Sequence, residues 1–295
     1  MSKKKPQGFP KVLQHSFSIE DQVWTYNVPE LLHPSTVSSQ DWMKSIALKS
    51  DDEKQEVVLD FLPSSANRAV SSHPLDRFIS ISFEHFRLRV PKPNGGSENN
   101  GTQPATARES SDYVVKLLRA GVGLNGVHYN FYGHSNSQLK SRTCFLFADT
   151  KTNIREMVES LGDFSKMKTV AKKAKRIALL FSSAHVAKIL DPARCQDIPD
   201  IETNDYIFTD GCGLISPHLA RELAGRLRII FRNARYTPSV FQIRYRGYKG
   251  VLMLDPGMKG ESLAKFRKSM KKFSGGDDYS FSVVDYSKVL SNSLL

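Results

Sequence analysis

The run Gln242–Gly250, QIRYRGYKG, constrains this chain more than any other segment. Apolar or aromatic residues alternate with cations, as in a half-buried strand, and Gly247 and Gly250 interrupt the pattern. Read as one regular strand, it puts Arg244, Arg246 and Tyr248 on one face. Ile243, Tyr245, Gly247 and Lys249 fall on the other, so the arginines need not join Lys249. From Arg221 to Lys272 there are fourteen Lys or Arg against three acidic residues, a net +11 in a chain whose total is +12. The positive excess is therefore local, as on a surface that meets an acidic polymer or nucleotide phosphates. Lys249 suits phosphate as a mobile point charge, and Arg244 can fork onto it with two hydrogen bonds. A solvated basic strand with an ordinary glycine turn is the competing reading.

The size and composition bound the rest. With 295 residues the chain can form a large core in two domains with smaller elements attached. No apolar run approaches the roughly 20 residues a membrane helix needs. The N-terminus, MSKKKPQGFPKV, lacks the apolar stretch of a secretory signal. Cys144, Cys195 and Cys212 have no zinc-site spacing and read as reduced thiols of an intracellular protein, nuclear or cytoplasmic.

Along the chain, DDEKQEVVLDFL at 51–62 predicts a helix, with acidic residues in its first turn. Phe78–Val90 alternates like a strand, and Pro91–Ser111 offers almost nothing to bury and reads as a linker. YNFYGHSNSQLKSRTCFLF at 129–147 predicts a turn between extended pieces. There Gln138 and Lys140 are either turn-capping residues or RNA contacts. Met167–Leu190 predicts a helix with a stripe of Val170, Ala174, Ile177, Phe181 and Ala184. Its basic beginning includes Lys172, Lys173 and Arg176, a placement the helix dipole disfavours and a phosphate would offset. Tyr206–Ser216 predicts strand, Asp-Gly turn, strand; a helix follows at His218–Leu227, then strands and turns to Pro256.

A second basic cluster, KFRKSMKKF at 265–273, carries Arg267, Lys268, Lys271 and Lys272. Asp210, before Gly211, reads first as a turn former. Two-metal phosphoryl chemistry needs several converging carboxylates, and no D-x-D cluster occurs in the chain. Adjacent Asp277 and Asp278 point to opposite faces of an extended strand. Gly257-Met258-Lys259-Gly260 lacks the ending of a phosphate-binding loop. No metal ligand is assigned.

Taken in order, these segments resemble the eukaryotic cell-encoded RNA-dependent RNA polymerases of RNA silencing. The likeness rests on residues 131–147, 161–190, 205–216 and 238–256, and on RKSMKKF at 267–273, where Lys268 stands in place of the family's proline. It covers most of 129–288; residues 1–128 carry little of it.

The resemblance implies an α+β chain in three parts. Residues 1–111 form an N-terminal region ending in a flexible loop, and 112–204 a slab-like, helix-containing region flanking the nucleic-acid channel. Residues 205–295 form the first double-psi β-barrel of a two-barrel core. By the same likeness Lys249 and Lys272 are the barrel's catalytic-centre cations, contacting phosphate without metal. Gln242, Arg244 and Arg267 extend that phosphate surface by the likeness; Arg246, Lys271, Lys172, Lys173, Arg176, Gln138 and Lys140 are further nucleic-acid candidates read from charge and position. Asp210, Gly211, Gly213, Gly247 and Gly250 shape the backbone.

The implied activity adds nucleotides from NTPs to an RNA 3′ end on a single-stranded RNA template. In the family, magnesium sits on a D-x-D-G-D loop of a second barrel, which this sequence does not contain. The chain alone is therefore expected to bind no cofactor and to be inactive. The chain is then a fragment of a longer product, one part of a split enzyme whose second polypeptide brings the other barrel, or a truncated, non-catalytic RNA-binding or regulatory paralogue.

Overall fold

The computed structural model describes residues 13–16, 25–26, 42–51, 55–64, 67–71, 73–92, 101–258, 263–275 and 278–288. The basic N-terminus, the centre of the 91–111 segment, Lys259, Gly260 and Asp277 lie outside them. Two compact units result: 1–157 with 177–182, and 158–176 with 183–295. Secondary structure is mixed α+β throughout.

In the first unit the strands are β1 (Leu13–Ser16), β2 (Thr25–Tyr26), β3 (Trp42–Ser50), β4 (Gln55–Pro63), β5 (Phe78–Ser82), β6 (Arg89–Pro91), β7 (Thr102–Pro104), β8 (Val122–Leu124), β9 (Val127–Gly133) and β10 (Thr143–Phe147). Eight of them form one sheet in the order β1-β4-β3-β5-β10-β9-β8-β2. Trp42, Ile46, Leu59, Phe61, Ile81 and Leu146 are among the side chains of its core. Removing each from water contributes about 1.5–3 kcal/mol.

Three expectations change here. The helix expected over 51–62 is strand β4, paired along its length with β3 from Trp42↔Pro63 to Ser50↔Gln55. Val57, Leu59 and Phe61 alternate into the core, and this cross-strand burial outweighs the acidic helix-start signal. The segment read as a linker up to Ser111 instead contains β7 and the beginning of helix α2 (Ala107–Ala120; α1 is Arg68–Ser71). Thr106 and Glu109 close a capping box at its start, a T-x-x-E signal present in the sequence. The turn expected between β9 and β10 contains a short helix, α3 (Asn136–Lys140).

Helix α4 (Lys151–Ser160) leads to the second unit. The long helix expected over 167–190 is the eight-residue α5 (Val170–Ile177), started by Thr169, whose Oγ1 accepts from Lys172 N–H at 3.2 Å. The apolar stripe does not form: Val170 is 88% exposed, while Phe181 packs edge-on to Tyr132. Residues 185–189 are a strand, because their pairing with 280–283 gives that backbone its hydrogen bonds.

The remaining strands are β11 (Gly162–Asp163), β12 (His185–Ile189), β13 (Cys195–Ile198), β14 (Glu202–Thr203), β15 (Tyr206–Ile207), β16 (Cys212–Ile215), β17 (Ile230–Phe231), β18 (Ala234–Arg235), β19 (Val240–Tyr245), β20 (Tyr248–Leu254), β21 (Ala264–Arg267), β22 (Ser274–Gly275) and β23 (Ser280–Tyr286). Seven make a sheet in the order β12-β23-β19-β20-β16-β21-β13. Within it β16 runs parallel to β20 and antiparallel to β21, and β13 runs parallel to β21. Helix α6 (Pro217–Arg226) buries Leu219, Ala220, Leu223 and Ala224 in this unit's core. Ser216 caps it, accepting from Leu219 N–H, and Pro217 occupies its first turn.

Candidate functional site

The QIRYRGYKG run is two strands. β19 and β20 join through Arg246 and Gly247, both at positive φ (41° and 83°), as a two-residue hairpin turn requires. Gly247 suits its place doubly, since a Cβ there would lie 2.0 Å from the carbonyl oxygen of Phe273. The fold-back overturns the single-strand face assignment. Arg244 and Lys249 are direct cross-strand partners and share a face. Tyr245 and Tyr248 form the next pair and point to the other side.

The second basic cluster docks on this hairpin. Lys271 bridges to Tyr248, and the Lys272 N–H donates to Gly247 O at 2.9 Å. Lys272 thereby comes beside Lys249, with its ammonium donating to Ser269 O. Arg176, at the end of α5, also reaches this neighbourhood. Partial burial, then the positive charges of Arg244, Lys272 and Arg176, lower the pKa of Lys249. Burial lowers that of Arg244 as well. Among the described residues none of these four cations forms an ion pair, and the Nε atoms of Arg176 and Arg244 are buried without a hydrogen-bond partner. Gln242 lies two residues from Arg244 on the same face.

The backbone beneath this wall is closely set. A Cβ on Gly250 would lie 2.1 Å from Gly211 O, which accepts from Val251 N–H at 2.9 Å; one on Gly213 would lie 2.3 Å from Lys265 O. Asp210 is exposed in the turn before Gly211, away from any cluster of carboxylates among the described residues.

Sequence reasoning missed Asp200. Its carboxylate accepts from Ser269 N–H (2.9 Å), Ser269 Oγ (2.6 Å) and Thr209 Oγ1 (3.1 Å), while Ser269 Oγ accepts from Gly211 N–H. Burial pushes its pKa up, but the Ser269 and Thr209 hydrogen bonds and the Arg267 charge outweigh that and hold it low. Asp200 thus ties the turn at 209–211 to the 267–272 segment, and nothing in local spacing signals this contact across 69 residues.

The other candidates lie elsewhere. Arg267 donates to Pro199 O and belongs to the Asp200 loop. Arg246 and Lys271 line a pocket on the tyrosine side of the hairpin. Lys172 is exposed on α5 and Lys173 half-buried beside Gly162 and Phe164. Gln138 accepts from Ser135 N–H at 2.8 Å, closing the box that caps α3, and Lys140 is exposed at that helix's end; both belong to the first unit.

A magnesium ion needs several oxygen donors. The wall around Lys249 presents cations, and among the described residues no three acidic, His or Cys side chains come together to hold a metal. These residues do not fit the ion.

A strand wall of unpaired cations is suited to phosphate. Comparison with known proteins gives it a family. The family model described as RNA dependent RNA polymerase matches residues 59–295, reaching well upstream of the motifs that carry the resemblance. The chain is 32% identical over 232 residues to the probable RNA-dependent RNA polymerase 1 of Oryza sativa subsp. japonica, covering 76% of this chain and 30% of that one. With RNA-dependent RNA polymerase 6 of Arabidopsis thaliana it shares 39% identity over 162 residues, 54% of this chain and 13% of the other. The RNA dependent RNA polymerase QDE-1 from Thielavia terrestris shares the fold: TM-score 0.61, 18% identity, 85% of this chain and 29% of that one. The chain belongs to the RNA-dependent RNA polymerase family. It spans 30% or less of the length of these relatives.

Proposed function

We propose that this chain supplies the channel region and first double-psi β-barrel of an RNA-dependent RNA polymerase acting in RNA silencing. The observation that carries the reading is the pairing of Arg244 with Lys249 across the hairpin. Lys272 and Arg176 add charge there, and no carboxylate among the described residues neutralises it. The parallel and antiparallel neighbours of β16, with close backbone approach at Gly213 and Gly250, support the barrel assignment.

In this reading Lys249 and Lys272 hold the triphosphate or RNA phosphate and offset the charge that accumulates as the phosphoryl group transfers. Arg244 orients it through its planar fork, and Gln242 and Arg176 extend the surface. Magnesium chemistry falls to carboxylates outside this wall, on a second barrel carried either by the same longer product or by another polypeptide.

Primer extension on single-stranded RNA tests this, with the chain alone and with a polypeptide carrying the family's carboxylate loop. Extension should require that polypeptide and fall at least about 100-fold with Lys249→Ala, the scale of losing a transition-state donor. Undiminished extension by the variant would refute the role of Lys249. Salt-sensitive RNA binding with no extension under any pairing would favour the non-catalytic RNA-binding paralogue.

A further inference from the structure

Behind the Lys249 face, the same hairpin builds a second site. Tyr245 and Tyr248 each stack with Phe266, with ring centroids 5.5 and 4.5 Å from it and interplanar angles of 16° and 24°. These rings wall a cavity of about 440 Å³ whose lining also includes Arg246, Lys271 and Asp197. That volume lies in the range of small-molecule sites.

Its polar groups are arranged for a ligand. The Nε of Arg246 is buried with no hydrogen-bond partner, and Arg246 forms no ion pair among the described residues. Exposed Lys271 is likewise unpaired among them, its ammonium 5.5 Å from the centre of the Tyr248 ring. Asp197, which lines the cavity, accepts from the Tyr248 hydroxyl through Oδ1 at 2.6 Å, and its Oδ2 takes no hydrogen bond among the described residues. Arg246 also holds φ 41°, a backbone state that favours Gly or Asn and costs an arginine stability.

A ligand matching this set has an anionic group for two cations, a hydroxyl or amine for one carboxylate oxygen, and a flat ring for an aromatic wall. We propose that the pocket binds a single nucleotide, with its phosphate on Arg246 and Lys271, a sugar hydroxyl or base amine on Asp197, and its base against Tyr245 and Tyr248. The nucleotide is either a free nucleoside phosphate or the 5′-terminal nucleotide of an RNA strand. This site is independent of Lys249 and stands whether or not the polymerase reading does.

The test is calorimetric titration with AMP, inorganic phosphate, and a short RNA carrying a 5′-phosphate or a 5′-hydroxyl. Alkylation of Cys195, which lines the pocket, localises the binding against Cys212 as internal reference. Binding of AMP, or a 5′-phosphate preference of tenfold or more, with Cys195 protected, supports the site and identifies its source. Lys271→Gln should weaken this binding several-fold and Arg246→Asn at least tenfold, the latter while raising Tm because asparagine suits the turn. If Arg246→Asn folds poorly, exposed Lys271 still decides. Phosphate binding as tightly as AMP, unchanged affinity in both variants, or no nucleotide binding would overturn the proposal.

Discussion

Arg77, in the first unit, and Arg244, in the second, hold the same guanidinium in opposite settings. Arg77 donates to the carboxylate of Asp149 at 2.8 Å and to Ala148 O, and lies 4.4 Å over the ring of Phe147. Arg89 is similarly spent, on Thr102 Oγ1 and on the carbonyls of Thr102 and Asp51. Among the described residues the Arg244 side chain makes one hydrogen bond, to its own neighbour's carbonyl, and it shares its face with Lys249. A satisfied arginine contributes to folding. An unsatisfied one among like charges detracts from it, and its chemistry is left for something outside the chain.

The comparison can be pressed hardest at the second unit. Arg244→Gln and Lys272→Gln should each reduce single-stranded RNA affinity about five- to tenfold. Each should also flatten the salt dependence, by about 0.7 in log–log slope for every phosphate no longer neutralised. Filter binding across a salt series measures both; an unchanged slope would mean these cations do not meet phosphate. At the first unit, Arg77→Gln removes two hydrogen bonds and the stacking on Phe147. It should cost about 1–2 kcal/mol in denaturant unfolding, with RNA affinity unchanged. A stability cost at Arg244 as large as that at Arg77 would dissolve the contrast.

The pH dependence is subtler. Asp149 has its pKa lowered, first by the Thr150 N–H, then by Asn153, with Arg77 adding a smaller part against desolvation. Its contribution is present above the ordinary carboxylate range and is lost as pH falls through the lowered value. Arg77→Gln should therefore shrink that acid-side loss without abolishing it, as read from unfolding free energies across acidic pH. The smallest effect is expected at Lys249. Its lowered pKa means that its charged form is disfavoured by the fold, and stability gains as pH rises through that lowered value. Lys249→Ala should hold Tm or raise it by about 1–3 °C at neutral pH, while flattening the alkaline gain. Calorimetric melting checks this, and a marked fall in Tm would make Lys249 structural.

How far these features were legible follows from what each depends on. Helix α6 is readable because Pro217, in its first turn, is a local signal. Strand β4 was misread because its identity depends on pairing with β3. The charge excess is visible in composition and Lys249 stands out in its motif, yet the residues that gather around it are not legible there. Arg246-Gly247 is a weaker turn signal than Asn-Gly, so the hairpin read as one strand and Arg244 was placed on the wrong side. Asp200 escaped because carboxylate and partner serine lie 69 residues apart.

The clamp at Gly247 has a consequence in time. Its carbonyl holds the Lys272 amide, Gly211 O holds the Val251 amide, and the Phe273 carbonyl leaves the turn no room for a side chain. Both amides should exchange with solvent more slowly than those of the exposed 204–208 hairpin, in step with the unit's global opening. The lysine side chains can then sample rotamers within nanoseconds from an unmoving base. If the proposed role of these lysines holds, an arriving phosphate would wait on a side-chain rotation.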